Sequence, residues 1–127
     1  MREALKEAEK AYEMDEVPIG AVVVYDGKVV GRGFDSMEKD KDPTCHAEMT
    51  AIRNACRELD RWRLWGCDLY VTTDPCPMCS GAIELARFEH VYVGTRDGIL
   101  ATECAAIIKD FFKELRMRDK ESAEEKQ

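Results

Sequence analysis

Leu5, Ala8 and Tyr12 recur at helical spacing among Glu and Lys, which predicts an amphipathic first helix over residues 1–14. Pro18 keeps that helix from running on. Ile19 to Tyr25 is an apolar, β-branched run, Asp26-Gly27 supplies the positive φ angles of a tight turn, and Lys28 to Gly33 returns as a second strand. Asp35 to Asp42 is polar and reads as a loop. After Pro43, the residues Met49, Ile52, Cys56 and Leu59 mark one face of a second helix, and Arg61 to Gly66 connects it onward. Leu69 to Thr73 is a third strand. Asp74-Pro75 ends it and opens a third helix, with proline pre-set for a first turn and Asp74 as its cap. His90 to Thr95 is a fourth strand. Ile107, Ile108, Phe111, Phe112 and Leu115 stripe a last helix from about Glu103 to Arg118, and residues 119–127 form a solvated tail.

This order is an α/β arrangement: a hairpin followed by strand and helix alternation, hence a mixed sheet of about four strands with helices on both faces. A length of 127 residues without repeat or linker implies one domain, 1–127. The longest apolar stretch is far below the roughly 18 residues of a membrane span, and the start, MREALKEAEK, is too charged for a signal peptide. A cytoplasmic protein is expected. Nineteen Lys and Arg against 26 Asp and Glu give a net charge of −7, so any nucleic-acid contact must be local rather than carried by a basic field. Six cysteines in a reducing compartment point to metal before cross-links.

Two segments carry chemistry, Pro43-Thr44-Cys45-His46-Ala47-Glu48 and Asp74-Pro75-Cys76-Pro77-Met78-Cys79, each opening a helix. The partial positive charge of helix N-termini favours Cys76 and Cys79 as thiolates. With His46 as third ligand, one imidazole and two thiolates fill three tetrahedral positions on Zn2+ and leave the fourth open, the pattern of a catalytic site. Glu48, two residues after His46, reaches the water's protons without being a ligand and carries them to a leaving amine. Alone, Cys-x-x-Cys is a weak signal, shared by redox pairs and structural zinc. Together with His-x-Glu, in this order and at helix starts, it spells zinc-dependent hydrolytic deamination.

At these residues the chain resembles the cytidine deaminase-like superfamily and, within it, the bacterial tRNA-specific adenosine deaminases. EVPIGAVVV, DPTCHAEMTAIR, WRLWGCDLYVTTDPCPMCSGAIELAR and ECAAIIKDFF carry the resemblance across nearly the whole chain. It implies a three-layer αβα fold, one Zn2+ on His46, Cys76 and Cys79, Glu48 as proton shuttle, and a homodimer. It also implies conversion of adenosine to inosine at the wobble position of a tRNA anticodon, by hydrolytic attack at C6 of a base splayed from its loop. Asp35, Pro18, Ile19, Ala47 and Asp97 fall where the resemblance implies substrate contacts. Asp35 stands where the family carries Asn, an ionised acceptor in place of an amide that both donates and accepts, and so bears on which base edge is favoured. Cys45 stands for Ala and Asp74 for Glu. After Asp97 the family continues through a loop and a fifth strand, whereas here Gly98 to Glu103 leads straight into the last helix. The fourth strand is therefore expected at an edge of the sheet.

Trp62 and Trp65 are expected to pack their connection against the core rather than stack a base. Lys109, Lys113, Arg116 and Arg118 could meet phosphates or simply form a solvated face. Cys56, Cys67 and Cys104 read as small buried residues, and His90 as structural. Three functions compete. The first is adenosine deamination in a single-stranded RNA loop, or in single-stranded DNA for an engineered variant. The second keeps the chemistry but takes cytidine in single strands, or a free base or nucleoside such as guanine or cytidine. The third is a noncatalytic zinc-stabilised scaffold, against which an intact Glu48 speaks.

Overall fold

A computed structural model describes residues 1–125; residues 126 and 127, the end of the expected tail, lie outside the described residues. The eight expected elements appear in the expected order, with two unexpected four-residue helices, the second of which replaces the end of the expected fourth strand: α1 (Arg2–Glu13), β1 (Gly20–Tyr25), β2 (Lys28–Phe34), α2 (Met37–Asp40), α3 (Ala47–Leu59), β3 (Cys67–Val71), α4 (Pro77–Ala86), β4 (His90–Val93), α5 (Gly94–Asp97) and α6 (Ala101–Glu125). Asp26 (φ 51°) and Gly27 (φ 74°) make the hairpin turn as their chemistry predicts. The sheet runs β2-β1-β3-β4, with both pairings of β1 antiparallel and β3–β4 parallel. β4 is an edge strand, as expected. β2 is the other edge, and Asn54 closes part of it by donating from Nδ2 to the Arg32 carbonyl at 2.9 Å.

One face of the sheet holds the main core. Ala21, Val23, Leu69, Val71 and Val93 pack there against Ala47, Ala51, Ile52 and Ala55 of α3 and Ala86 of α4. α3 sits so close to β2 that a Cβ at Gly33 would overlap the Ala47 carbonyl oxygen, and one at Gly31 the Ala51 carbonyl oxygen. Gly33→Ala is therefore expected to destabilise the protein by about 2 kcal/mol or more, because the clash is with backbone. Gly81→Ala, which meets nothing within 4 Å on an exposed helix, is expected to stabilise it by up to about 1 kcal/mol. Paired urea denaturation curves distinguish the two.

α1 lies on the opposite face, burying Ala4, Leu5, Ala8 and Ala11, and α6 joins its flank through an edge-on Tyr12–Phe111 contact at 5.9 Å. Helices thus lie on both faces, but unequally. Where β3 and β4 adjoin, that second face carries the half-buried Tyr70 and Tyr92 rings, stacked at 4.9 Å.

Three local expectations are corrected. The loop expected at 35–42 contains α2, because the buried Glu16 carboxylate accepts from the N–H groups of Glu38 (3.1 Å) and Lys39 (2.9 Å) and caps that turn from 22 residues upstream. The last helix does not end near Arg118 but continues to Glu125, since nothing from Asp119 onward breaks it. Trp62 and Trp65 do not pack on the core: they are 58% and 59% exposed, with the Arg63 guanidinium 3.9 and 5.5 Å from their rings, while Leu64 between them is fully buried in their place.

Candidate active site

α3 and α4 begin at one place, and the residue that caps each stands in extended backbone. Cys76 precedes Pro77, whose ring pushes it into extended backbone (φ −71°, ψ 170°), so Cys76 caps α4 and its thiol accepts from the Cys79 N–H at 3.5 Å. Asp74 is therefore not the cap. It is exposed and pairs with Arg96 at 3.1 Å, tying the turn of α5 to the loop before Cys76. The signal was present in the second proline of the Pro-Cys-Pro run.

His46 is the extended N-cap of α3 (φ −80°, ψ 154°). The segment before it is pinned from three sides. Asp42 accepts from the Thr44 N–H (2.8 Å) and hydroxyl (2.7 Å), Ser36 N–H donates to the Cys45 carbonyl (2.9 Å), and the Asp35 carboxylate accepts from the Ala47 N–H (2.8 Å).

These constraints aim three donor atoms at one point. His46 Nδ1 lies 3.5 Å from Cys76 Sγ and 3.6 Å from Cys79 Sγ, and all three atoms fall within 4.8 Å of one another. A tetrahedral zinc ion, with bonds of about 2.3 Å to sulfur and about 2.0 Å to nitrogen, sets such pairs about 3.5 Å apart. The donor set fits zinc in both chemistry and spacing. Burial first, then the nearby Glu48 and Cys76, push the Cys79 thiol well above the ordinary range, so a bound cation is what would hold it as a thiolate.

Glu48 is 4% exposed in the first turn of α3. Burial raises its carboxyl above the usual range, while its own backbone N–H, the Cys79 thiol and His46 pull it back. It is not among the donor atoms and stands beside them, the placement of a group that takes and returns protons.

Asp35 is 3% exposed, and burial, opposed by the bond from Ala47 and reinforced by Glu48, pushes its pKa up to about 7. Sequence reading missed its role as the acceptor that seats the start of α3. Its folded pKa lies above its unfolded one, so unfolding releases a proton between about pH 4 and pH 7. Stability therefore falls as pH rises through that window and levels off above it. Asp35→Asn keeps an oxygen for the Ala47 N–H but no charge. The variant is expected to match the parent in thermal unfolding near pH 4 and to exceed it at pH 8, at equal metal loading.

Of the other substrate candidates, Pro18 and Ala47 are fully buried and Ile19 is half-buried against the main core. Asp97 is exposed, and its carboxylate accepts from the Val93 N–H at 2.7 Å to close the α5 turn. Arg118 is likewise held, by two bonds to Asp15 at 2.7 and 3.0 Å, whereas Lys109, Lys113 and Arg116 are exposed. Cys67 and Cys104 are buried and Cys56 half-buried, close to expectation.

A His-Cys-Cys donor set with an adjacent buried carboxyl defines a zinc-dependent nucleobase deaminase, an enzyme. Residues 1–95 match the family described as the cytidine and deoxycytidylate deaminase zinc-binding region, and the chain belongs to that family. It is 40% identical over 146 aligned positions to the tRNA-specific adenosine deaminase of Bacillus subtilis, covering 94% of this chain and 91% of that protein. The alignment exceeds the 127 residues present, so that relative carries residues this chain lacks. The corresponding enzyme of Aquifex aeolicus is 38% identical, with 91% and 93% covered. Among solved structures, one from a study of A-to-I editing by tRNA:A34 deaminases superposes with a TM-score of 0.73 at 38% identity, covering 84% of this chain and 96% of that one. The guanine deaminase of Bacillus subtilis gives 0.70 at 38% identity, covering 79% of this chain and 66% of that one.

Proposed function

We propose that the protein converts adenosine to inosine at the wobble position of a tRNA anticodon loop. The carrying observation is a complete deaminase site, Glu48 included, in a chain alike over nearly its whole length to enzymes of that name. His46, Cys76 and Cys79 would hold one zinc ion. When bound, zinc supplies a water nucleophile at neutral pH. Glu48 takes a proton from that water and delivers it to the departing amine: the C6–O bond forms, the C6–N bond breaks, and adenosine plus water become inosine plus ammonia. Because the carboxyl and the donor atoms lie at buried helix starts, the base must leave its stack to reach them, which an unpaired loop allows at low cost. Lys109, Lys113 and Arg116, exposed on α6, are among the cations available to phosphates in an acidic protein. The reading places the protein in the cytoplasm, as a homodimer. Among the described residues no helix is long and apolar enough to cross a membrane.

A second reading, deamination of a free base such as guanine, is favoured by two observations: Asp35 places a carboxyl, not an amide, near Glu48, and the likeness to a guanine deaminase is nearly as good. A competition assay separates them. Zinc-loaded protein is incubated with an anticodon stem-loop RNA, single-stranded DNA, nucleosides and free bases, and products are resolved by chromatographic mass spectrometry. Inosine from the RNA is the expected outcome. Deoxyinosine alone would shift the polymer to DNA, and xanthine, uridine or deoxyuridine would replace the adenosine reading.

A further inference from the structure

The loop between α3 and β3 is pinned at its centre. Leu64 is fully buried and its N–H donates to the Ala86 carbonyl, which leaves Trp62 and Trp65 exposed on either side of it. Arg61 braces the same loop, donating from Nη2 to the Trp65 carbonyl (2.9 Å) and from Nη1 to the Arg63 carbonyl (3.0 Å), with its guanidinium 5.2 Å from the ring of exposed Tyr25. The result is a platform of two indoles with the Arg63 guanidinium near both. Two large aromatic rings left more than half exposed are unusual on a protein surface unless something covers them.

The platform continues a charged track. Arg53 and Arg57, one turn apart on the exposed face of α3, lead toward it from the helix end that carries His46. From residue 53 to 63 the sequence holds four arginines against two acids, Glu58 and Asp60, in a chain whose net charge is −7. Among the described residues none of Arg53, Arg57 and Arg63 has a carboxylate within 4.0 Å, whereas Arg32, Arg96 and Arg118 are each paired. At about 1.5 Å per residue, α3 places the loop about 18 Å from the helix start that holds the zinc ligand.

We propose that this track and platform form a second RNA contact, in which Arg53 and Arg57 take phosphates and the Trp62–Arg63–Trp65 platform stacks an unpaired base of the same strand that feeds the zinc site. The inference rests on the reading of that site as acting on RNA. Guanidinium groups with no carboxylate partner are free to fork onto phosphate, and an indole face stacks any base. A polyanion approaching an acidic protein settles where cations gather, and here they gather beside aromatic faces.

Trp62 and Trp65 are the only two tryptophans of the chain, so indole fluorescence reports this platform alone. Zinc-loaded Glu48→Gln protein is titrated with the anticodon stem-loop while binding is followed independently by filter retention. Quenching that saturates together with binding is expected. With Glu48 intact, Trp62→Ala combined with Trp65→Ala is expected to raise KM for the stem-loop about tenfold with kcat unchanged, and to leave an adenosine-containing trinucleotide, too short to reach the loop, unaffected. Arg57→Gln is expected to reduce the slope of log affinity on log salt by about 0.7. Stem-loop binding without any change in fluorescence would overturn the contact, as would equal losses on stem-loop and trinucleotide. A blue shift that grows with protein concentration in the absence of RNA would also overturn it, giving the platform to a second copy of the chain. Stem-loop conversion to inosine without quenching removes this contact only. Quenching by a stem-loop that is never converted supports the contact and removes the adenosine reading instead.

Discussion

Glu48→Gln is expected to lower turnover by roughly 10²–10⁴-fold while leaving the metal content at one zinc per chain. The amide matches the carboxyl in shape and fills the same 4%-exposed space, so the first turn of α3 has no reason to shift. What changes is proton capacity: an amide can neither take a proton from water nor give one to a departing amine. Since Glu48 is not among the converging donor atoms, metal occupancy should not follow activity down. Turnover on the RNA substrate, metal analysis and thermal unfolding of the same preparation check the three parts. Turnover equal to the parent's would refute the assignment of the proton shuttle. Loss of metal along with activity would make Glu48 a ligand instead.

Cys79→Ala is expected to reduce both bound zinc and activity to background, and to lower the unfolding temperature by several degrees relative to zinc-loaded parent. The reason is that the set has no spare member. Three side chains supply three donors, and with one gone a cation meets only His46 and Cys76, too few to compete with chelators. The stability effect has a sequence-separation argument behind it. His46 and Cys76 stand 30 residues apart, so an ion shared between them cross-links α3 to α4 and removes the freedom of the intervening chain in the unfolded state. Stripping the parent with a chelator should give the same lowered temperature, and adding zinc back should restore the parent but not the variant. A variant that kept its zinc would show that the donor set has been misassigned.

Much of this site was legible in the letters because its chemistry is short-range. His-x-Glu and Pro-Cys-x-x-Cys each sit at a helix start, and a helix start fixes where its first side chains point. What the letters withheld depends on contacts distant in sequence. Glu16 draws no reading and Asp35 is read only for substrate, yet each caps a turn or helix from 12 or more residues away, and no local pattern announces such a partner. The two tryptophans misled for a related reason. A Trp-x-x-Trp connection looks like core filling until Leu64 proves able to fill the space alone, leaving the larger rings outside with Arg63. The helix boundaries missed by several residues at α6 because a charged segment without proline or glycine has nothing to stop it.

The seat of α3 on β2 has a consequence for how the protein can change. Gly31 and Gly33 bring the helix into contact with the strand backbone to backbone, so the height of α3 above the sheet is set by main chain rather than by the bulk of side chains. His46 and Glu48 ride on that helix. Trimming neighbours such as Ile52 or Leu69 alters how well the space around the helix is filled more than it lowers the helix, whose close approach is already limited by backbone contact. Robustness and catalytic power are in that sense uncoupled here, and the core beneath the site is free to drift in sequence while the chemistry above it holds still.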